Sequence, residues 1–309
     1  MVIRSHAVYP GQTVQINLNI ARLPSHTVID VPVNVYRAKK AGPVLLLTAG
    51  LHGDELNGVE IIRRMIVRDI VVPSTGTVIA MPVVNVYGFL HTARDLPDGK
   101  DLNRSFPGSK TGSLARRIAH VLMTDIVPHA DYGVDFHTGG AARSNYPQTR
   151  CSFEDPFNLK LARWFGAPFT IHSKRIDKSF RSAARKRGKQ LIIYEGGESS
   201  RFDEKSITEG IEGTIRLMRR LKMKQGKILK RKTTLISKAE WIRARYSGLF
   251  RTSIKIGEKL RKGQPIATIT DPFGETEYSV QSPLTGYAIG VNNQPVVTQG
   301  DALVHIGVE

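Results

Sequence analysis

Residues 43–55 read PVLLLTAGLHGDE, an unbroken apolar run followed by two polar side chains, His52 and Glu55, in a glycine-flanked turn. A short continuous apolar run of this kind is typical of a strand buried on both faces, as in a mixed or parallel sheet. Residues 54–68 then place apolar side chains at helical spacing, which predicts a helix with Asp54 as its N-cap. The stretch therefore predicts a strand–turn–helix unit that presents two possible metal ligands at its turn.

The rest of the chain divides into two parts of different character. Residues 1–230 begin with alternating apolar and polar side chains and continue with buried-type strands and amphipathic helices in turn. This alternation predicts an α/β fold, a mixed sheet flanked by helices, with ligands bound at the carboxyl ends of strands. Residues 88–113 contain many glycines, prolines and polar groups and predict a long functional loop. Residues 231–309 change to short alternating segments between glycines, which predicts a small all-β domain.

Two further polar side chains stand at predicted strand ends. His137 lies in DFHTGG, residues 135–140, and Glu195 lies in YEGGE, residues 194–198. Each residue alone is more often structural or simply exposed. Their joint occurrence with the first turn, always beside glycines and after a strand, indicates one shared site.

Two histidines and two glutamates at neighbouring strand ends are typical of a catalytic zinc site. A catalytic zinc ion takes three protein ligands and leaves one position for water. His52 and Glu55 are three residues apart, which lets both reach one ion, and His137 can supply the third ligand from a neighbouring strand. Asp135 can fix the orientation of a ligand imidazole. Glu195 is suited to act as general acid or base toward zinc-bound water.

Four ordered motifs resemble those of a known family. GLHGDE (50–55), DLNRSFPG (101–108), DFHTGG (135–140) and YEGGE (194–198) resemble the succinylglutamate desuccinylase/aspartoacylase family, relatives of the zinc carboxypeptidases. The resemblance covers about residues 40–225 and implies a zinc carboxypeptidase-like fold. The C-terminal β region also fits the family.

The resemblance implies a role for each matching residue. It implies one zinc ion per chain, held by the ligands His52, Glu55 and His137, and a catalytic Glu195. It further implies that Arg94 polarises the scissile carbonyl and that the substrate carboxylate is bound by Asn103, Arg104 and Arg181. Arginine suits this task because its planar guanidinium matches a carboxylate with two parallel hydrogen bonds.

The expected function is hydrolysis of the amide bond of a small anionic N-acyl amino acid, through Glu-assisted attack of zinc-bound water. One alternative is a zinc carboxypeptidase that acts on peptide C-termini with the same metal and glutamate. A second alternative, from another functional class, is a non-catalytic anion-binding or RNA-binding relative. A cleft open to a polypeptide would favour the first alternative, whereas a pocket walled by the β domain would favour small N-acyl substrates.

The chain of 309 residues has 45 Lys and Arg against 27 Asp and Glu, a net charge of +18. The basic residues concentrate in 174–189 and 216–232, which is typical of a solvated basic face. No recognition motif accompanies them, so no specific nucleic-acid partner is expected.

No apolar run of about 18 residues indicates a membrane span. The single Cys151, expected to be inert, fits a reducing, cytoplasmic location, and a homo-oligomer stays open.

The C-terminal region resembles a known small fold at one point. Residues 282–287, SPLTGY, resemble half of a lipoyl-type barrel-sandwich hairpin. Lipoyl and biotinyl domains carry a modified lysine at the hairpin tip, but the turn DPFG at 271–274 has none. We therefore expect a barrel-sandwich-like domain with a structural role that borders the active site or an oligomer interface.

Overall fold

The computed structural model describes residues 1–22, 26, 28–229 and 231–309. Within these residues a mixed sheet of 13 strands runs through the molecule, and helices pack on both of its faces. The α/β architecture predicted from the sequence is therefore present. None of the helices in the described ranges is both long enough and apolar enough to cross a membrane.

The elements are numbered in chain order. The strands are β1 Val2–Ile3, β2 His6–Ala7, β3 Thr13–Arg22, β4 Val28–Arg37, β5 Val44–Ala49, β6 Thr77–Met81, β7 Tyr132–Gly139, β8 Arg143–Cys151, β9 Phe169–His172, β10 Gln190–Glu198, β11 Thr234–Ile236, β12 Lys238–Arg243, β13 Gly248–Thr252, β14 Lys259–Leu260, β15 Pro265–Thr270, β16 Glu277–Gln281, β17 Gly286–Asn292, β18 Val296–Val297 and β19 Ala302–Val308. The helices are α1 Leu56–Val67, α2 Val86–His91, α3 Leu114–Val121, α4 Pro156–Phe165, α5 Phe180–Lys186 and α6 Glu204–Arg220. A 3₁₀ turn spans Leu102–Arg104.

Four parallel strands form the middle of the main sheet, in the order β6, β5, β7 and β10. Strand β8 follows β10 in antiparallel orientation, and β4 and β3 continue antiparallel beyond β6. Because parallel strands end at the same edge, the residues that follow β5 and those at the ends of β7 and β10 lie side by side.

The apolar run in β5 is buried on both faces, as its sequence predicts. Leu45 and Leu47 pack in a cluster with residues of α1, α4 and α6, whereas Leu46 joins the cluster on the opposite face with residues of α3 and α5. Each of these leucines is essentially inaccessible to solvent. Burial of one such side chain is worth about 1.5–3 kcal/mol, so this strand is strongly fixed between the two helical layers.

The first helix departs from its prediction. Helix α1 begins at Leu56, so its N-cap position is taken by Glu55, and the prediction of Asp54 as N-cap is wrong. Glu55 makes no side-chain capping bond because its carboxylate is turned toward two histidines instead. The predicted loop at 88–113 also contains structure, the end of α2 and the 3₁₀ turn described above.

The C-terminal strands do not stand apart from the main sheet. Within the described residues 231–309 all regular structure is β, and a four-stranded sheet forms in the order β16, β15, β13, β18. Strands β12, β19 and β17 instead extend the main sheet, because β17 pairs with β8. The division of the chain at residues 230 and 231 stays a prediction.

Substitutions of Tyr194 test how much core packing stabilises β10. Its ring is fully buried against Phe136 and Phe165, and its hydroxyl donates to the Ser206 carbonyl at 2.6 Å. We expect Tyr194→Phe to lower the free energy of unfolding by about 1 kcal/mol through loss of that hydrogen bond. Tyr194→Ala should lower it by about 3–5 kcal/mol through loss of packing. Urea denaturation measures both, and equal midpoints for the three proteins would contradict the packing described.

Candidate metal centre and active site

Two neighbouring strands place the histidines and Glu55 together. The chain leaves β5 at Ala49 and turns through His52 and Glu55 into α1, while His137 lies within β7. The two strands pair in parallel with Ala49 opposite Phe136, so the turn lies beside His137. The sequence places His137 at a strand end, whereas β7 continues two residues beyond it, to Gly139.

The turn requires glycine for steric reasons. A Cβ atom on Gly53 would lie 1.8 Å from the carbonyl carbon of Gly88 in α2, far inside contact distance. Gly50 has a φ of +60°, a left-handed conformation that glycine adopts without steric cost. The glycines of the GLHGDE motif thus let α2 approach the backbone on which His52 is mounted.

The Glu55 carboxylate bridges the two imidazoles. Its Oε1 lies 2.6 Å from Nδ1 of His52, and its Oε2 lies 2.8 Å from Nδ1 of His137. All three side chains are buried, and one ligand atom from each lies within 4.8 Å of the others. The three residues identified in the sequence therefore converge on one point in space.

Further carboxylates hold the outer nitrogen of each imidazole. His137 Nε2 lies 2.8 Å from Oδ2 of Asp135, whose other oxygen accepts from the Thr48 hydroxyl at 2.7 Å. His52 Nε2 lies 3.1 Å from Oδ1 of Asp101. A carboxylate only accepts hydrogen bonds, so Asp135 and Asp101 each favour a proton on the Nε2 atom that faces them.

The electrostatics of this group call for a cation at its centre. Burial alone would lower the pKa of His137, but the carboxylates of Asp135 and Glu55 outweigh it and raise that pKa well above its ordinary value. Burial alone would raise the pKa of Glu55, but the two imidazoles outweigh it and hold that pKa below its ordinary value. Both shifts favour imidazoles that carry positive charge beside an ionised Glu55. A divalent metal ion fits this donor set, since imidazole nitrogen and carboxylate oxygen are both ligands of zinc.

Glu195 lies at the same edge, one strand further along. It is on β10 as the register partner of His137, and its side chain is largely shielded from solvent. Its Oε2 accepts a hydrogen bond from Asn145 Nδ2 at 2.7 Å and forms an ion pair with Arg150 Nη2 at 3.0 Å. Both partners belong to β8, a strand that the sequence did not predict.

Arg94 reaches into the metal-ligand cluster from the loop after α2. Its Nη2 donates to Oδ2 of Asp101 at 2.8 Å, and its Nη1 lies 3.2 Å from Nδ1 of His52. The guanidinium thus stands where a carbonyl oxygen near the ligand set would meet a positive charge. The sequence could place Arg94 only in a long loop, whereas the structure fixes it through Asp101.

Asn103 and Arg104 lie in the 3₁₀ turn. The Oδ1 atom of Asn103 accepts from the backbone N–H of Phe180 at 2.9 Å, and this buried contact joins the turn to the start of α5. Arg104 is exposed, and its Nη1 donates to the Asn103 carbonyl at 2.8 Å. Its guanidinium is therefore available to a ligand that enters from solvent.

Arg181 is placed differently from the other arginines. It is almost completely buried in α5, and its two Nη atoms donate to the backbone carbonyls of Arg150, Ser173 and Lys174. Its Nε has no hydrogen-bond partner among the described residues. Burial, together with the nearby Arg150, lowers the pKa of Arg181 to about 10. A large part of its hydrogen-bonding capacity is thus used to hold the protein backbone.

The two histidines, Glu55, Glu195 and the arginines described above line a cavity of about 270 Å³. The eight site residues predicted from the sequence all border it: His52, Glu55, Arg94, Asn103, Arg104, His137, Arg181 and Glu195. Among the other residues that border it are four outside the sequence motifs, namely Arg143, Asn145, Arg150 and Trp241. The first three lie on β8, and Trp241 lies on β12 of the C-terminal region.

Cys151 takes no part in this cavity. Its thiol is buried at the end of β8, and burial raises its pKa to about 12. A thiol with so high a pKa is not ionised at neutral pH and is a poor nucleophile.

Comparisons with known proteins agree with this geometry. Residues 41–221 match the succinylglutamate desuccinylase/aspartoacylase catalytic domain. The N-alpha-acetyl-L-2,4-diaminobutyric acid deacetylase of Halomonas elongata is 29% identical over 258 residues, which cover 79% of this chain and 75% of that protein. A crystal structure of a succinylglutamate desuccinylase/aspartoacylase from Rhodobacter sphaeroides superposes with a TM-score of 0.84 at 26% identity, covering 96% of this chain and 95% of that one. The product-bound ectoine utilization protein EutE (DoeB) of Ruegeria pomeroyi has the same fold, with a TM-score of 0.85 at 23% identity over 98% of this chain and all of that one. The chain therefore belongs to the succinylglutamate desuccinylase/aspartoacylase family.

Proposed function

We propose that the protein is a zinc-dependent deacylase that hydrolyses the amide bond of an N-acyl amino acid or a similar small molecule bearing a carboxylate. The observation that supports this most directly is the convergence of His52, Glu55 and His137 beside Glu195 in an arginine-lined cavity. Membership of the family and the similarity to a deacetylase of an acetylated amino acid agree with the proposal.

One zinc ion per chain would be held by Nδ1 of His52, Nδ1 of His137 and the carboxylate of Glu55. When bound, such an ion supplies a Lewis acid that polarises a carbonyl and lowers the pKa of a coordinated water to about 7. With the ion bound, Asp135 and Asp101 would keep both imidazoles in the tautomer that this coordination requires.

Glu195 would move the protons of the reaction. Its Oε2 is engaged by Asn145 and Arg150, which leaves Oε1 to accept a proton from the attacking water. The same oxygen then returns the proton to the nitrogen of the leaving amine, because an amide nitrogen must be protonated to depart. The products are a carboxylic acid and a free amine.

The arginines would bind and polarise the substrate. Arg94, beside the ligand cluster, donates to the carbonyl oxygen as negative charge develops on it. Asn103 and Arg104 bind the substrate carboxylate, and Arg181 adds its buried charge to the same cavity. No lining residue other than Glu55 and Glu195 is acidic in the described part of the chain, so the cavity suits an anionic substrate.

The C-terminal region favours a small substrate over a polypeptide. Trp241 of β12 borders the cavity, lies under the guanidinium of Arg143 and stacks on the imidazole of His305 at 4.6 Å. This stack forms a side wall near the metal ligands, where a carboxypeptidase needs an open cleft for a chain. We therefore prefer the deacylase to the carboxypeptidase. The complete set of candidate catalytic groups likewise argues against a non-catalytic anion-binding or RNA-binding protein.

The remaining expectations from the sequence stay part of the proposal. We propose that residues 231–309 form a barrel-sandwich-like domain whose role is to border the active site, and that residues 1–230 form the deacylase domain. A cytoplasmic location and assembly into a homo-oligomer are compatible with this function.

The metal ligands can be tested without a substrate. Purified protein is expected to contain about one zinc per chain, and His137→Ala should lose it because one of three ligands is removed. His91→Ala provides the matched control, since His91 is exposed on α2 and does not line the cavity. Elemental analysis after dialysis measures the content. Equal zinc in wild type and His137→Ala would exclude this ligand set.

Glu195 can be tested once a substrate is found by screening N-acetyl, N-succinyl and N-formyl amino acids for release of free amine. Glu195→Gln should retain zinc but lower kcat by about 10²–10⁴-fold, because the amide cannot accept the proton. Glu198→Gln, on the same strand but outside the cavity, should keep turnover close to that of wild type. Near-normal kcat in Glu195→Gln would refute its role as general base.

Arg181 is expected to affect both stability and substrate binding. Arg181→Lys cannot satisfy the carbonyls of Arg150, Ser173 and Lys174 together, so we expect the free energy of unfolding to fall by about 2–4 kcal/mol. The KM for an anionic substrate should rise as well. Exposed Arg104 is the comparison, since Arg104→Lys should raise KM without a loss of stability. Denaturation measures the effect on stability, and steady-state kinetics measures the effect on KM. An unchanged denaturation midpoint in Arg181→Lys would contradict its structural role.

A further inference from the structure

The carboxylate of Glu195 is held through one oxygen only. Asn145 donates to Oε2, and the guanidinium of Arg150 forms an ion pair with the same atom. No hydrogen bond to Oε1 is found within the described part of the chain. A carboxylate held in this way has a fixed plane and one free oxygen.

The backbone of β8 is shaped to bring both partners to Glu195. Between β8 and β10, Glu195 pairs with Gln148 and Gly197 pairs with Asn145, so two steps along β10 match three steps along β8. This bulge inserts one extra residue into β8, and bulges re-aim side chains. As a result Asn145 reaches the carboxylate although it lies three residues before the register partner of Glu195.

Both anchoring residues are themselves held in place. The carbonyl of Arg150 accepts from Nη1 of buried Arg181 at 3.1 Å. Asn145 lies opposite Gly290 of β17, where a Cβ atom would approach its Oδ1 to 3.0 Å. The backbone of Arg150 and the side chain of Asn145 are therefore both in contact with neighbouring elements.

The surroundings explain why Glu195 needs such anchoring. Beside Arg150, the cavity is lined by four other guanidinium groups, those of Arg94, Arg104, Arg143 and Arg181. An unrestrained carboxylate in this cavity would pair with whichever guanidinium it met, because such pairs are strong when shielded from water. Glu195 could then no longer transfer protons, and it would also occupy an arginine that the substrate needs.

We propose that Arg150, together with Asn145, is a positioning residue that holds one oxygen of Glu195 so that the other remains directed toward the reacting water. This inference rests on the proposed function and extends it to a residue outside the four sequence motifs. Arg150 acts through Glu195 and need not touch the substrate. Its loss should therefore affect turnover more than substrate binding.

The test compares Arg150→Met and Arg150→Lys with wild type. Arg150→Met should lower kcat by about 10–100-fold while KM stays within about threefold, because only the geometry of the general base is disturbed. Arg150→Lys should recover much of the loss, since its ammonium can still pair with Oε2. Arg163→Met is the matched control, because Arg163 is an exposed arginine on α4 outside the cavity, and it should leave both constants unchanged.

Crystal structures of the zinc-loaded wild type and Arg150→Met provide a readout that does not depend on activity. In wild type, Glu195 should have one conformer with Oε2 against both anchoring residues. In Arg150→Met it should be displaced or divided between conformers. If Arg150→Met does not fold, Asn145→Ala removes the other anchoring contact and should give the same result.

The outcomes separate this inference from the proposed function. An unchanged Glu195 position in the variant crystal, or a rise in KM at constant kcat, would overturn the positioning role and make Arg150 a substrate-binding residue. A wild type that binds zinc but releases no amine from any N-acyl amino acid would overturn the proposed function. In that case the two crystal structures would still decide whether Arg150 positions Glu195.

Discussion

Two imidazole rings and the carboxylate of Glu55 face one another in a region from which water is nearly excluded, and a buried carboxylate of this kind is stable only with positive charge beside it. Protons on the imidazoles can supply that charge, and a divalent ion can supply it with better geometry for three donors. In the proposed zinc site, the carboxylates of Asp135 and Asp101 would hold a proton on each outer nitrogen and leave the inner nitrogens to the ion. The Thr48 hydroxyl extends this network into β5, so the position of the ligands depends on the core of the sheet.

The parallel strands turn this local arrangement into a site for catalysis. His137 and Glu195 are register partners on β7 and β10, and the turn after β5 adjoins them. Strand register is fixed by burial, since a shift of one residue would move every apolar side chain of β5 to the opposite face. The distance between the candidate metal ligands and Glu195 is therefore set by the same packing that stabilises the fold.

The sequence predicted the parts of the site that follow buried strands, because an apolar run that ends in glycine and a ligand side chain can be identified without tertiary information. It failed where tertiary contacts override local preference. Strand β8 is polar and contains Pro147, features that argue against a strand inside a sheet. The conflict is resolved because the strand that pairs with β8 on one side changes along its length. Strand β17 pairs with residues 143–145 of β8, and β9 pairs with residues 148–151. Pro147 lies between these two sets of pairs. The wrong prediction of Asp54 as N-cap has a related cause. Glu55 occupies the N-cap position of α1, but its carboxylate contacts the histidines and makes no capping bond to the helix.

The same change of neighbour joins the C-terminal region to the active site. Because β17 pairs with the first residues of β8, it lies directly against Asn145, one of the two residues that hold Glu195. The continuation of this sheet through β19 to β12 brings Trp241 to the cavity wall and stacks it on His305, a buried histidine whose pKa is lowered to about 3 by burial and by Arg150. His305 is therefore neutral at physiological pH and adds no further charge to a cavity already rich in arginine. A substitution at the contact between β17 and β8 would thus disturb Glu195 and the wall of the cavity together, which couples the C-terminal strands to the candidate site although His52, Glu55 and His137 all lie outside these strands.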